Sequence, residues 1–555
     1  MRNFKNSALS ILALFALLSI NSCKDKEEDQ VEEEVEQLSP NVHVAFAGGG
    51  WRAHTGHSAF IMGLLENGER SLSSAFSNVQ TISSNSGGSW FSTMLMYSNA
   101  FNTDIQAANA ATNWGSTGWL GKQIQLFGAV DDCLLDSSLL YTYCVLKHYG
   151  GGLHWKNAVE NLVFNGYNLG ATTLGDPKLS WADQKTLLLQ TSIMTSNAVL
   201  NGSFVGEKAY YQACYGDSNP NLTGWERSTC DPAISAIASP ATFWSLPSGS
   251  SLTSPVFLPQ IGTGTNAQNF NLGYTENAII DYPKLYTSIS NPIKTSGVPV
   301  MSAAASSSAA VGFLGSDNML SAWPAAYELR DLAVSFSLAN QQVTDMDIDS
   351  QSLTTLKDEI AVRLADGGTV DNSAVAQLVA HLQNNDEDGF NIVAFDIVTE
   401  KFPSQTNPVS YEVGMDIAHL FGFGVCPGPS FCVGDNCGKP CYDTVSAQVF
   451  TQDSFLNTPS SWEHNGNDPK FEHKIIYTKY TVTTVENSAF GVKAGSTGTL
   501  HAFSCIYGDA GTEPTADPSK GGFDAYQAML NFVYDAVTNQ GGLQHLEDAF
   551  QISNN

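Results

Sequence analysis

Residues 41–53, NVHVAFAGGGWRA, and residues 79–90, VQTISSNSGGSW, decide how this chain folds. Val42, Val44 and Phe46 alternate with Asn41, His43 and Ala45, and a period of two running into three glycines predicts a strand that ends in a turn. Beyond the turn the period changes. Ile61, Leu64 and Leu65 share one helical face, so a helix is expected from 51 to about 67. Glycine at 48, 49 and 50 leaves backbone N–H groups uncovered at the positive end of that helix, where negative charge is stabilised. The second stretch repeats the pattern, with a strand expected over 79–83 and a helix over 87–98 whose Trp90, Phe91, Met94 and Leu95 face inward.

Ser86 falls on the bend between this second strand and helix. A serine on a sharp strand-to-helix turn projects its hydroxyl above the sheet edge, the geometry of a nucleophile elbow. One unit therefore supplies a cradle for an anion and the next supplies an alcohol. Acyl transfer to serine needs both, because attack on an ester carbonyl puts negative charge on its oxygen. Ser84 stands where such an elbow usually has glycine, and Ala53 to His57 is unusually polar for the approach to an anion cradle.

The residues Gly48-Gly49-Gly50-Trp51-Arg52-Ala53 and Ser86-Gly87-Gly88-Ser89-Trp90 resemble the catalytic region of the cytosolic (group IV) phospholipase A2 and fungal phospholipase B/lysophospholipase family, within the patatin-like superfamily. That family also carries an aspartate before two glycines far downstream, and this chain has Asp366-Gly367-Gly368 followed by Asn372. Residues 300–308, VMSAAASSS, are loosely similar to a small-residue serine run that the family has in between. The resemblance implies an α/β fold of three layers, α/β/α, around a mixed, mostly parallel sheet with large loop-rich insertions. It implies Ser86 as nucleophile, Asp366 as its general base, and Arg52 as holder of a substrate phosphate or of developing charge. It implies no cofactor and no metal. Gly49 and Gly50 are the expected oxyanion donors, and loss of one donor in a site of this kind costs on the order of 3 kcal/mol.

A chain of 555 residues can bury a large core and could hold two or three domains. Ala8 to Ile20 is an apolar run behind Arg2 and Lys5, which reads as a secretory signal over 1–22 rather than a membrane span; the alternative is a buried N-terminal helix. Ile20-Asn21-Ser22-Cys23 looks like a lipoprotein cleavage site, with Cys23 lipidated, the chain being otherwise simply secreted. Residues 24–40 are expected to form a disordered linker, since 24–37 carries eight acidic residues against two lysines. Only this tether precedes the region 41–555, so no calcium-dependent membrane-targeting module is expected, and membrane contact falls to Cys23 or to apolar loops. The net charge of −29 argues against nucleic acid and against anionic lipid surfaces, and leaves zwitterionic or neutral lipids as compatible substrates.

Ten cysteines, less Cys23, fit an exported chain with disulfides, with Cys133–Cys144 and Cys214–Cys230 as plausible pairs and Cys426, Cys432, Cys437 and Cys441 in a Gly- and Pro-rich loop. Zinc is the alternative for these four, but their spacing fits no zinc template well and disulfides are preferred; one thiol is left over. Residues 101–350 are rich in Gly, Ser, Thr and Asn, and an irregular insertion is expected there. Its Tyr210, Tyr211, Phe243, Trp244, Leu246, Phe257 and Leu258 could line an acyl channel or simply fill a core. Asp345-Met346-Asp347-Ile348-Asp349 fails as a calcium loop, with Ser350 in place of glycine and Leu356 in place of glutamate.

The second half of the site is expected around Asp366. Ile360, Val362 and Leu364 alternate as a strand, Asn372 is expected to cap a helix over 374–382, and 390–398 returns as a strand, together a β-α-β unit. An aspartate at the carboxyl end of a parallel strand shares a rim with Ser86 if both strands share a sheet. A further strand is expected over 475–484 and a final helix over 523–537. Two rival readings stay open: a Ser-His-Asp esterase drawing on His464, His473, His501 or His545, with His54 and His57 also near the cradle, and a surface lipoprotein that binds lipid or a partner without catalysis.

Overall fold

The computed structural model describes residues 41–130, 144, 147–151, 154–193, 239–248, 255–257, 269–273, 298–309, 334–338, 361–387, 389–399, 413–423, 447–456, 458–487, 490–508 and 522–552. Twelve strands form one mixed sheet in the order β10-β11-β12-β9-β1-β2-β3-β4-β5-β6-β7-β8. They are β1 Val42–Phe46, β2 Val79–Asn85, β3 Thr186–Ile193, β4 Ser239–Ser245, β5 Pro255–Phe257, β6 Asn269–Gly273, β7 Val334–Leu338, β8 Ala361–Asp366, β9 Phe390–Val398, β10 Trp462–Asn465, β11 His473–Thr483 and β12 Thr497–Tyr507. The pairs β12–β9, β9–β1, β1–β2 and β2–β3 are parallel, so the middle of the sheet is parallel and both flanks are antiparallel.

Helices cover both faces, and the period of two in β1 decides which residues meet which layer. Val42, Val44 and Phe46 point into one core with Phe395, Phe503 and Cys505. That face is covered by α1 Gly50–Leu64, α2 Ser86–Tyr97 and, far along the chain, Gly522–Asn539. Ala45, Ile392, Ala394, Leu500 and Ala502 point the other way. Against them lies the helix Ala376–Asn384 with Met415–His419 beside it. The fold is thus a three-layer α/β/α arrangement.

The expected insertion contributes most of the right-hand flank of the sheet. β3, whose Leu187, Leu188 and Leu189 are all fully buried, is a continuous apolar run too short to tell from a helix by periodicity, and β4 to β7 follow it. β4 pairs along one edge of β3 from Leu187 to Ile193. The other edge is divided. Thr186 to Gln190 pair in parallel with Thr81 to Asn85 of β2, and Thr191 to Ile193 pair antiparallel with Asp366 to Leu364 of β8. Since β4–β5, β5–β6, β6–β7 and β7–β8 also pair, β3 to β8 close into a ring of hydrogen-bonded strands.

This corrects the expected β-α-β unit. β8 runs opposite to β3, hence opposite to β9, because its partners lie in the insertion, and alternation along a strand carries no information about direction. The consequence favours the site. β2 and β8 approach one another head-on along a single edge of β3, ending at the adjacent positions Gln190 and Thr191.

Candidate active site

Ser86 opens α2 with φ 49, a backbone conformation that non-glycine residues rarely adopt, and observed strain of this sort clusters at functional sites. The bend is tight because two chain turns pass through it: a Cβ on Gly87 would stand 2.1 Å from the Gly50 carbonyl oxygen, so only glycine allows the two loops to touch. Ser84 does not crowd it. That residue stays within β2, and its hydroxyl is hydrogen-bonded to Ser92 Oγ at 2.7 Å.

The hydroxyl of Ser86 donates to Asp366 Oδ2 at 2.8 Å. Asp366 is the last residue of β8, and its Oδ1 accepts the Gly368 N–H at 2.7 Å. Burial raises its carboxyl to about 6, while the bonds from Gly368 and Ser86 pull the other way. A carboxyl so placed is largely ionised at neutral pH yet a stronger base than an exposed aspartate. Among the described residues, neither Ser86 nor Asp366 has a histidine as a hydrogen-bond partner. His57 uses Nε2–H to donate to the Ala47 carbonyl at 2.8 Å, and burial takes its imidazole down to about 3, so it is neutral. His54 is buried and stacked on Trp119, with burial driving it well below its ordinary value. His473 and His501 belong to β11 and β12, and His464 to β10.

The glycine loop is pinned on both sides: Ala47 N–H donates to the Phe395 carbonyl at 3.0 Å and Gly48 N–H to the Asn372 carbonyl at 2.9 Å. Gly49, with φ 130, and Gly50, with φ 57, then turn the chain into α1. Among the described residues their N–H groups donate to no protein acceptor. Ser86 N–H, by contrast, is committed to Ser307 Oγ at 3.1 Å. Ser307 belongs to α3 Val300–Ser307, the serine run singled out in the sequence, which lies alongside α2; Ser307 Oγ also bonds Ser89 Oγ at 2.7 Å, and Trp90 Nε1 donates to Ser308 Oγ at 2.8 Å.

Arg52 lies behind the loop rather than in front of it. Its side chain is 6% exposed, Nε donates to the Ile397 carbonyl at 2.9 Å, and the guanidinium packs where a side chain on Gly49 would have to go. Asn372 does not cap the following helix, α4 Ala376–Asn384. Val375 occupies the cap position, and the side chain that meets the helix start is that of Asp371, with Oδ1 accepting from Ser373 N–H at 2.9 Å and Oδ2 from Ala376 N–H at 2.8 Å. Asn372 turns inward instead, because its neighbours offer polar partners there: Oδ1 accepts from Asn85 Nδ2 at 3.2 Å and Nδ2 donates to Asp416 Oδ2 at 2.6 Å. Asp416, on α5 Met415–His419, and Asp396 on β9 complete the buried polar groups under the loop. Asp396 left a trace in the sequence, as the lone acid in the mostly apolar strand FNIVAFDIV, whose other polar residue is Asn391.

Of the other candidates, Phe243 is core and Trp244 is half-buried, meeting His381 edge-on at 4.6 Å. Tyr210, Tyr211, Leu258, the acidic 345–349 stretch, the leader with Cys23, and the cysteines other than Cys144 and Cys505 lie outside the described residues. Cys505 is a buried free thiol. No helix among the described residues is long and apolar enough to cross a membrane.

No protein-family model matches this chain, and no curated protein matches its sequence. Among solved structures, it is similar to the human GIVD cytosolic phospholipase A2, with a TM-score of 0.36 and 13% sequence identity. That match covers 93% of this chain and 63% of the other, so the chain spans less than two thirds of the length of the structure it matches.

Proposed function

We propose that the chain is a serine acyl-ester hydrolase acting on phospholipids or lysophospholipids. The observation that carries this reading is the 2.8 Å hydrogen bond from Ser86 Oγ to Asp366 Oδ2, made by a serine held at φ 49. Ser86 Oγ attacks the ester carbonyl carbon and its proton passes to Asp366. The carbonyl oxygen becomes an oxyanion that accepts the free N–H groups of Gly49 and Gly50. Collapse breaks the ester bond, and the departing alcohol takes the proton back from Asp366. Water, deprotonated by Asp366, then attacks acyl-Ser86; the acyl–Oγ bond breaks, Ser86 Oγ takes that proton back from Asp366, and the fatty acid is released. Arg52 contributes positive charge from behind the loop. Export with Cys23 as a lipid anchor would bring the site to a membrane surface, and the phospholipid class follows from the resemblance of the glycine and serine motifs, not from pocket geometry.

The test is labelling by a fluorophosphonate, which reacts only with an activated serine. The wild-type chain should label at Ser86, Ser86→Ala should abolish labelling and turnover of a phospholipid and lysolipid panel, and His464→Ala, His473→Ala, His501→Ala or His545→Ala should leave both. Loss on any one histidine substitution would favour a Ser-His-Asp esterase, and absence of labelling at every pH would favour a lipid-binding lipoprotein.

A further inference from the structure

Asp396 is fully buried, and counted as a carboxylate neither Oδ1 nor Oδ2 meets a donor in full bonding geometry, the Ile417 N–H approaching without completing a bond. Yet the Asp416 carboxyl is close enough to act as its hydrogen-bond partner, with the Ile417 N–H nearby. These two facts conflict only while both groups are anions. Two carboxylates cannot bond to one another, whereas a single proton between them converts one oxygen of Asp396 from an orphan into half of an O–H···O bond. No side chain separates the Asp396 carboxyl from the backbone that leads into α5, since a Cβ on Gly414 would fall 1.8 Å from Asp396 Oδ2.

We propose that Asp396 and Asp416 share one proton as a buried acid–anion pair, balanced by Arg52, and that the pair is a positioning device for the glycine loop and the Ser86 turn. Among the described residues Arg52 makes no contact ion pair, but its charge is felt by both carboxyls and its guanidinium backs Gly49. One cation, one anion and one neutral acid leave the buried set without net charge, which full ionisation would not. From Asp416 the connection runs through Asn372, whose side chain reaches Asn85, the residue before Ser86, and whose carbonyl holds Gly48. Burial first, and the neighbouring Asp416 charge second, hold Asp396 well above the usual carboxylate range. The other titratable groups that interact with this set are Cys505 on β12, which faces Asp396 and Arg52, Asp371, whose buried carboxyl faces Asp416, and Tyr526 on the helix Gly522–Asn539, which faces Arg52.

The shared proton stands independently of the proposed hydrolysis; its effect on reactivity rests on that reading. Infrared difference spectra of the full chain at neutral pH test the first: wild type should show the carbonyl stretch of a protonated carboxylic acid that Asp396→Asn lacks, and no difference there overturns the pair. Stability should fall in wild type as pH rises above the ordinary carboxylate range, because the folded chain must then surrender a proton it holds more tightly than the unfolded one, and Asp396→Asn should flatten that slope. For positioning, the readout is the rate of fluorophosphonate labelling at Ser86 against pH. Asp396→Asn, which supplies a neutral donor, should label within about three-fold of wild type but without its alkaline decline, whereas Asp396→Ala should lose at least about ten-fold. The double variant Asp396→Asn with Asp416→Asn, which strands Arg52 without an anion, should lose about a hundred-fold or fail to fold. Equal loss in Asp396→Asn and Asp396→Ala with an unchanged pH profile would reduce the pair to ordinary packing. A wild-type chain that never labels would sink the hydrolase reading while the infrared and stability measurements still decide the proton.

Discussion

At the residue scale the molecule is a contest between burial and hydrogen bonding. Asp366 is 6% exposed and accepts bonds from Ser86 and Gly368, but burial wins and lifts its carboxyl to about 6 from the 3.8 of a free aspartate. The folded chain therefore holds this proton more tightly than the unfolded one. Between pH 3.8 and about 6 its stability falls as pH rises, by about 3 kcal/mol once the group is fully ionised. Asp366→Asn removes that slope, so its thermal midpoint should exceed that of wild type at pH 7 and converge with it near pH 4. Labelling of Ser86 in wild type should rise through about pH 6 as Asp366 ionises, and Asp366→Asn should label slower by roughly two to four orders of magnitude at every pH. A profile indifferent to pH in that window would remove Asp366 as the base.

At the element scale, helix α4 begins at Ala376, and Asp371, five residues earlier, holds that start: its carboxylate accepts the Ala376 N–H of the first turn together with the Ser373 N–H and hydroxyl. Asp371→Ala should cost about 2 kcal/mol, the upper end for a helix cap, measured by denaturant unfolding. Asn372→Ala leaves that cap intact and should cost less stability. How much of this was legible follows from range. The strand–glycine–helix turns at Gly48 to Gly50 and at Ser86 announce themselves because period, glycine and helix start lie within a dozen residues. The choice between Asp371 and Asn372 does not, since both are good caps and only Asn85 and Asp416, distant in sequence, draw Asn372 inward. The same holds for Asp396, a visible oddity in its strand whose partner Asp416 is set by tertiary packing.

At the scale of the whole molecule, the end of the chain closes on its beginning. Helix Gly542–Phe550, absent from the sequence reading, carries Phe550 to a fully buried position against Phe76 at 5.4 Å and Phe395 at 6.3 Å. Phe550→Ala should cost about 3–5 kcal/mol and lower the cooperative unfolding temperature, while leaving the pH dependence of labelling unchanged. Fold class was legible because three βα turns near the start and middle are local; the division of β3 between β2 and β8 was not, because it joins segments separated by the whole insertion. That division has one more consequence. A serine at position 86 and its carboxylate at 366 become neighbours only after β3 has been claimed by both strands, and a slip of a single residue would turn Asp366 to the opposite face. A chain still being synthesised thus carries an inert alcohol, and the hydrolysis proposed above would stay latent, without any inhibitor, until β8 had docked beside β2 on β3.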